Sequence, residues 1–313
     1  MSARILSPLR VCGVLAAIAL VSGSARADVV EHTFDVSATG TLEIDSDVGS
    51  IKVRTHDAPR VEVRVERLNQ KSQDLKVDFS QQGDTVRVTG DLPSHQNGNY
   101  QVRFEVMVPR TFSLDLNTAG GSISIDDLDG EVRAQTAGGS LQFGHMGGRV
   151  WGNTAGGSIE LQNSRGDADL STAGGSIDVG DVAGEVRVKT AGGSIHIGRA
   201  DGSVSARTSG GSIRIEESVG AVSASTSGGS IRAYISRQPS GDSELETSGG
   251  EVTVLLADGI GLNVEANGGD GGVRSDFPID GRTESEHSLR GALNGGGPRL
   301  YLRSSSGVDI ERH

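Results

Sequence analysis

From residue 118 onwards, apolar residues recur two positions apart in short runs, with polar residues between them. The first run of each period carries Ile123 and Ile125, Leu141 and Phe143, Ile159 and Leu161, Ile177 and Val179, Ile195 and Ile197, and Ile213 and Ile215. The second run carries Val132 and Ala134, Ala168 and Leu170, Val186 and Val188, Val204 and Ala206, and Val222 and Ala224. Such alternation is typical of half-buried strands. It predicts an all-β chain with two short strands in every period.

The motif Thr-Ala-Gly-Gly, or Thr-Ser-Gly-Gly, separates the two runs and returns at a fixed spacing. Its threonines are Thr118, Thr136, Thr154, Thr172, Thr190, Thr208 and Thr226, at intervals of 18 residues, and Thr247 follows after 21. Stacked structural repeats keep such a register, whereas a flexible glycine-rich linker has no reason to do so. We therefore predict a parallel β-solenoid (β-helix) of 18-residue coils, each with two strands and two turns.

The motif itself is interpreted as structural. Its threonine continues the second run in phase, so the side chain is predicted to face inward. The buried hydroxyl then needs a partner, either along the threonine column or in the backbone of the Gly-Gly turn. The glycines are predicted where a Cβ would clash or φ must be positive. A further glycine column marks the opposite turn: Gly130, Gly148, Gly166, Gly184, Gly202 and Gly220.

Outward positions also line up from coil to coil. One predicted column alternates in charge, as neighbouring strands prefer, and consists of Glu131, Arg149 and Asp167. Another becomes basic toward its end and consists of Asp178, His196, Arg214 and Arg232. We interpret the second column as an ordinary solvated face.

The chain is divided into four segments. Residues 1–27 resemble an export signal, with Arg4 and Arg10 before an apolar run and Ala25-Arg26-Ala27 as the cleavage site. Residues 28–113 are predicted to be a β-rich cap region, in which "SDVGSIKV" at 46–53 resembles a degenerate repeat. Residues 114–257 are the solenoid. Residues 258–313 are an irregular C-terminal cap, with 266–297 as loops and strands in "PRLYLRSSSGVDI" that close the far end.

Removal of residues 1–27 changes the formal charge from −12 to −15, because that segment holds three arginines and no acidic residue. It also removes Cys12, the single cysteine, so the exported chain would fold without disulfides. An acidic balance argues against nucleic acid and anionic membranes as partners. No second apolar run is long enough to span a bilayer. The predicted location is periplasmic or extracellular, including the cell surface.

No catalytic residue, metal ligand or cofactor is predicted, and binding residues are left unassigned. The sequence has no nucleophile elbow, phosphate loop or Cys/His cluster with metal-ligand spacing. Asp126, Asp127 and Asp129 form one acidic turn that offers oxygen ligands to a cation. The Gly-Gly-x-Gly-x-Asp repeat of calcium-binding β-rolls is missing, however, so a specific calcium site is not expected.

An export signal followed by degenerate strands and Thr-[Ala/Ser]-Gly-Gly-Ser-Ile copies resembles the bacterial DUF4097 family, over roughly residues 30–310. The resemblance implies a β-helix-like envelope or surface protein, often labelled an adhesin by inference from fold and location. We therefore expect a non-enzymatic, adhesin-like protein that presents a polar face to a glycan or protein. The alternatives are a polysaccharide-acting hydrolase or lyase with carboxylates near the C-terminal loops, and a passive envelope spacer.

Overall fold

The computed structural model describes residues 28–93, 98–285 and 287–313, so the predicted export signal lies outside the described residues. Two long sheets dominate this part of the chain: sheet A has 14 strands and sheet B has 15. The helical elements among these residues are two short 3-10 turns, Gln70–Asp74 and Gly269–Gly271.

The strands are numbered in chain order. The N-terminal strands are β1 (Asp28–Asp35), β2 (Thr41–Ser46), β3 (Ser50–His56), β4 (Arg60–Arg67), β5 (Lys76–Gln82), β6 (Thr85–Asp91) and β7 (Val102–Pro109). The array holds β8 (Ser113–Thr118), β9 (Ile123–Ile125), β10 (Val132–Thr136), β11 (Leu141–Met146), β12 (Val150–Thr154), β13 (Ile159–Ser164), β14 (Ala168–Thr172), β15 (Ile177–Val182), β16 (Val186–Lys189), β17 (Ile195–Ala200), β18 (Val204–Arg207), β19 (Ile213–Ser218), β20 (Val222–Thr226), β21 (Ile231–Ile235), β22 (Ser243–Thr247) and β23 (Val252–Leu256). The C-terminal strands are β24 (Leu262–Asn267), β25 (Val273–Ser275), β26 (Asp280–Ser285), β27 (Ser288–Leu293), β28 (Arg299–Arg303) and β29 (Val308–Arg312).

Each coil of the array contributes one strand to each sheet. The coil of β12 and β13 lies in parallel register on the coil of β10 and β11, with Thr154 opposite Thr136 and Ile159 opposite Leu141. The same pairing continues along the array as far as β22 and β23. The predicted all-β parallel solenoid with two strands per coil is therefore confirmed.

The alternating aliphatic residues fill the space between the two sheets. Ile159, Leu161 and Leu170 are each at most 1% exposed, and one continuous apolar cluster runs from Phe34 to Ile310. Burial of each such side chain contributes about 1.5–3 kcal/mol. A single coil buries too few of them to fold alone, so stability accumulates as coils stack.

At the N-terminal end, the degenerate repeat predicted at residues 46–53 forms a true coil. Ser46 lies opposite Thr118, and Ile51 lies opposite Ile123. The coil of β6 and β7 lies outside the coil of β2 and β3, although it comes later in the chain. Antiparallel strands β1, β4 and β5 then cover this end of the solenoid, as a cap region is expected to do.

The C-terminal end differs from the sequence prediction. The segment 266–297, predicted as loops, contains β25, β26 and β27, so that prediction is wrong. The strands of "PRLYLRSSSGVDI" do form, as β28 and β29, but they do not close the end. Their coil lies between the coil of β22 and β23 and the coil of β24 and β25, and the β26–β27 hairpin closes sheet B. The last described coil in the sequence is thus the last but one in space.

The predicted solenoid segment ends at residues 114 and 257, but both sheets continue without a break into the strands on either side of it. The segment boundaries therefore stay predictions. Within the described ranges, no helix has the length and apolarity that a membrane crossing needs.

Candidate functional site

The threonine and the serine of the repeated motif both form hydrogen bonds between coils. Thr154 is 2% exposed; its hydroxyl donates to the carbonyl of Gly139 in the preceding coil at 2.7 Å and accepts from the Gly157 N–H at 3.3 Å. The other array threonines repeat the bond to the preceding coil. Ser304 takes the same role in the coil of β28 and β29, donating to the carbonyl of Gly250. The inward threonine ladder is confirmed, and its partner is the Gly-Gly turn.

The motif serine forms a second ladder on the outside. The Ser140 hydroxyl accepts a hydrogen bond from the Ser158 N–H of the next coil at 3.3 Å. The same bond recurs from coil to coil between residues 122 and 251. The recurring Gly-Gly-Ser is therefore a structural hydrogen-bonding unit, and its hydroxyls are already engaged.

The second glycine of the pair is required by close backbone contact. A Cβ at the second glycine, for example Gly139, would lie less than 3.0 Å from the backbone of Gly121 in the preceding coil. A Cβ at the first glycine, Gly138, would have its nearest neighbour at 3.9 Å. The pair does not adopt positive φ in the array, so the first of the two predicted reasons holds and the second is wrong.

The acidic turn is engaged by neighbouring groups. Asp127 accepts a hydrogen bond from the His145 N–H at 2.9 Å, and this bond, together with the His145 ring, lowers the pKa of the Asp127 carboxyl. Asp129 forms an ion pair with Arg165. Among the described residues, no group of three or more His, Cys, Asp or Glu is arranged to hold a metal ion.

The outer face of sheet A is charged. The predicted column of Asp178, His196, Arg214 and Arg232 does lie in consecutive register. His196 contacts the carboxylate of Asp178 at 3.3 Å and that of Glu216 at 3.2 Å. Arg214 hydrogen bonds to Glu216 and lowers the pKa of its carboxyl, with a smaller contribution from His196. Exposed pairs of this kind contribute little to stability.

The predicted column of alternating charge also forms one close pair. Arg149 contacts Asp167 at 2.8 Å, and both side chains are partly exposed. The Arg149 guanidinium and the N–H of Glu185 lower the pKa of the Asp167 carboxyl. These contacts connect neighbouring coils, as the sequence predicts for this column.

The outer face of sheet B has a different character. Four consecutive coils place an uncharged polar side chain directly before the motif threonine, and we call these residues the uncharged column: Asn117, Gln135, Asn153 and Ser171. Asp45 precedes the column and Lys189 follows it in the same register. The column borders a groove of about 560 Å³ along the solenoid, which also includes the exposed alanines after the motif threonines.

Trp151, the single tryptophan of the chain, lies two residues before Asn153 on the same outer face. Its ring is partly exposed, and the guanidinium of Arg133 in the preceding coil lies 3.8 Å from the ring centroid. This cation–π contact covers one face of the indole and fixes its position. The outer face of sheet B therefore combines an aromatic surface with neighbouring amide groups.

The C-terminal region holds the one close carboxyl pair with a raised pKa in the described chain. A hydrogen bond between the side chains of Glu251 and Asp309 raises the pKa of the Glu251 carboxyl, and burial adds to this. Arg274 contacts Asp309 at 3.6 Å. A shallow groove of about 310 Å³ lies beside Asp309 and Arg274.

Sequence reasoning left binding residues unassigned and did not identify Trp151 or the uncharged column. The 18-residue register could have revealed the column, because aligning the coils places Asn117, Gln135 and Asn153 at the same position. Each amide taken alone is an ordinary exposed strand residue, and only their stacking forms a continuous surface.

The family model described as Toastrack DUF4097 matches residues 40–311. No curated protein matches the chain.

Three solved structures are similar over most of their length. A protein of Clostridium sporogenes, provisionally named a cell adhesion protein, is 12% identical, with 91% of this chain and 100% of that chain covered and a TM-score of 0.21. A provisionally named adhesin of Bacteroides fragilis is 9% identical, with 91% and 97% covered and a TM-score of 0.31. A provisionally named lipid-binding protein of Parabacteroides distasonis is 12% identical, with 90% and 96% covered and a TM-score of 0.37. Likenesses at this level carry no inference about what the chain binds.

Proposed function

The chain belongs to the Toastrack DUF4097 family, and from this premise we propose that it is an exported, non-enzymatic envelope or surface protein that binds a glycan along one face of its solenoid. The groove beside the uncharged column is the observation that carries this proposal. It is long and open, and its middle is lined by uncharged side chains that can hydrogen bond, with Asp45 and Asp47 at one end and Lys189 at the other. Such a surface suits an extended partner with many hydroxyl groups better than a small molecule, which usually needs an enclosed pocket.

The motif geometry supports a non-enzymatic role for the array. The repeated threonines and serines, which are the most numerous hydroxyl groups there, are engaged in joining coils. A nucleophilic hydroxyl requires a neighbouring base that activates it. Thr154 instead has a backbone carbonyl and a backbone N–H as partners. The array therefore provides a rigid surface for a partner.

Binding to envelope material tests the proposal. Purified protein is incubated with insoluble envelope from the native cell, untreated, treated with protease, or treated with periodate to destroy sugar rings. We expect co-sedimentation that survives protease and is lost after periodate. Binding lost with protease alone would identify a protein partner and contradict the glycan proposal, as would failure to bind any of the three preparations.

Cell fractionation tests the location separately. The residues 1–27 that resemble an export signal support export, and detection of the processed chain in the periplasmic or extracellular fraction is the expected result. Recovery of the full-length chain from the cytoplasm would contradict it.

The alternative of a polysaccharide-acting enzyme has one supporting observation, the Glu251–Asp309 carboxyl pair. A carboxyl that keeps its proton at a raised pKa can act as a general acid. Paired glycosidase carboxyls, however, stand about 5 Å or more apart to bracket the sugar, whereas these two are hydrogen bonded to each other. Incubation with neutral and acidic polysaccharides, followed by assays for new reducing ends and unsaturated products, is expected to show no turnover. Products that disappear in Glu251→Gln would support the enzyme.

A further inference from the structure

The uncharged column contrasts with the outward column beside it on the same sheet. Charged residues make up 22% of the chain, and the net charge is −12. The neighbouring outward column on the same sheet runs Asp115, Arg133, Trp151, Asp169 and Arg187, with a charge in every coil except that of the tryptophan. Four successive uncharged positions, beside the one tryptophan, therefore form a distinct chemical surface.

Two members of the column have free hydrogen-bonding capacity. The side-chain amides of Gln135 and Asn153 make no hydrogen bond to another described residue, and Gln135 is exposed. The Asn117 amide donates to the Asp45 carboxylate at 2.8 Å, which leaves its carbonyl oxygen available. Each amide offers both donors and an acceptor, which matches a sugar hydroxyl that also donates and accepts.

The spacing of the column is set by the stacking of parallel strands, about 4.8 Å per coil. This is close to the length of one pyranose unit in an extended polysaccharide. A linear chain lying in the groove along the solenoid axis can therefore meet one amide of the column per sugar. Trp151 is not among the residues that line the groove but lies beside the column, two residues before Asn153, where its indole, held in place by Arg133, offers an apolar surface to the C–H face of a sugar ring.

We propose that the outer face of sheet B along the uncharged column, from Asn117 to Ser171, binds an uncharged linear polysaccharide of pyranose units, with its chain parallel to the solenoid axis and one ring against Trp151 beside the column. This inference rests on the proposed function and specifies its ligand class. An acidic polysaccharide would meet a strongly negative protein, with Asp45 and Asp47 at one end of the groove and Lys189 as the single cation among the described lining residues, at the other end. Neutral sugars avoid this repulsion. The amide groups also replace the hydrogen bonds that the sugar hydroxyls make to water, so the cost of desolvation is small.

The single tryptophan makes the test direct, because intrinsic indole fluorescence reports this site alone. The full chain is titrated with three soluble neutral polymers (linear mannan, dextran and mixed-linkage β-glucan) and two acidic ones (alginate and polygalacturonate). We expect a saturable spectral change with at least one neutral polymer and none with the acidic polymers. Calorimetry gives a second readout that remains usable in tryptophan variants.

Matched variants locate the binding site. The double variant Q135E/N153D keeps the shape of the column but introduces two carboxylates, and we expect at least about 10-fold weaker binding to the neutral polymer, or about 1.4 kcal/mol. Trp151→Ala is expected to weaken calorimetric binding to a similar extent. The control is Gln142→Glu, an exposed position on the outer face of sheet A, which should leave affinity unchanged. Circular dichroism confirms that each variant is folded.

The outcomes separate this inference from the proposed function. Binding only to acidic polymers overturns the neutral-ligand inference and leaves a glycan-binding protein. If a neutral polymer binds and Q135E/N153D does not weaken its binding, the assignment of the site to the uncharged column is overturned. Absence of binding to all five polymers, together with periodate-sensitive binding to envelope, overturns the inference while the proposed function stands. Absence of both kinds of binding overturns both.

Discussion

The array and the C-terminal region are built from the same kind of coil, yet different interactions determine how their coils are ordered. In the array, each coil lies next to the coils that precede and follow it in sequence, and the threonine and serine ladders join them. In the C-terminal region, Leu302 of β28 lies opposite Leu245 of β22 on one side and Ala266 of β24 on the other. Repetition therefore specifies only nearest-neighbour stacking, and the order of the last coils must be specified by individual side chains.

Those side chains can be identified. Gln238 donates to the carbonyl of Gly261 at 3.0 Å and accepts from its N–H at 2.8 Å, which fixes the start of β24 against the loop before β22. Asn294 donates to the carbonyl of Ile260 at 2.8 Å. These side-chain-to-backbone bonds occur once each, in contrast to the ladders of the array, and they act in addition to the Ser304 bond that continues the threonine ladder.

The largest expected effect concerns the coil of β28 and β29, which we call the inserted coil because it lies between two coils that precede it in the sequence. Leu302 is fully buried, and Leu302→Ala should lower the free energy of unfolding by about 2–5 kcal/mol. Because its coil lies between two others, amide hydrogen exchange should accelerate mainly in β24–β27. Leu161→Ala, in the middle of the array, is the matched control and should not expose β24–β27 selectively. Equal loss of protection throughout the chain in Leu302→Ala would contradict the special position of the inserted coil.

The next effect concerns the glycine pair of the array. Gly139→Ala should destabilise by about 3 kcal/mol, at the upper end of the usual overpacking cost, because the new methyl group meets rigid backbone in the preceding coil. Gly138→Ala is one residue away, and its new methyl group would make only an ordinary contact at 3.9 Å, so it should be neutral or stabilise by about 0.4–1 kcal/mol through a less flexible unfolded chain. Urea unfolding followed by circular dichroism measures both. Similar losses in the two variants would show that the contact argument is wrong.

A smaller effect is expected for the threonine ladder. Thr154→Val keeps the volume and removes the hydroxyl, which leaves the Gly139 carbonyl without this donor, so a loss of about 1–3 kcal/mol is expected. Thr154→Ser retains the hydroxyl and should recover part of the loss, since serine takes the same role at Ser304. Thermal unfolding compares the variants. A valine variant as stable as the wild type would show that the threonine ladder does not stabilise the register of the coils.

The smallest effect is a pH dependence at the corner of the array. Hydrogen bonds from His145 lower the pKa of Asp127 in the folded chain, so this carboxylate adds stability at pH values above its unfolded pKa. That contribution is lost as the pH falls below about 4. Asp127→Asn keeps the acceptor, as Asn163 does two coils later, and removes the charge. The small difference in stability between wild type and variant at pH 7 should therefore vanish in acid; a difference that persists at pH 3 would contradict the assignment.

The sequence predicted most of the fold because the array is periodic. Alternating aliphatics, inward threonines and even the degenerate copy at residues 46–53 follow from spacing alone, since each position has the same surroundings in every coil. The C-terminal order could not be predicted in this way. Its strands lie in a glycine-rich segment with weak alternation, and contacts such as Gln238 with Gly261 link positions with no common pattern. Trp151 was missed for a similar reason, because its importance depends on the amides of neighbouring coils.

The placement of the coil of β28 and β29 has a consequence for how the molecule is made and how it can change. The strands β24 and β25 reach their final neighbours only when β28 and β29 are in place, so the far end is completed by the last strands of the sequence. Further 18-residue units therefore cannot simply be appended after β29. They fit within the array, where successive coils keep the same register, so the array can vary in length while the two ends stay unchanged.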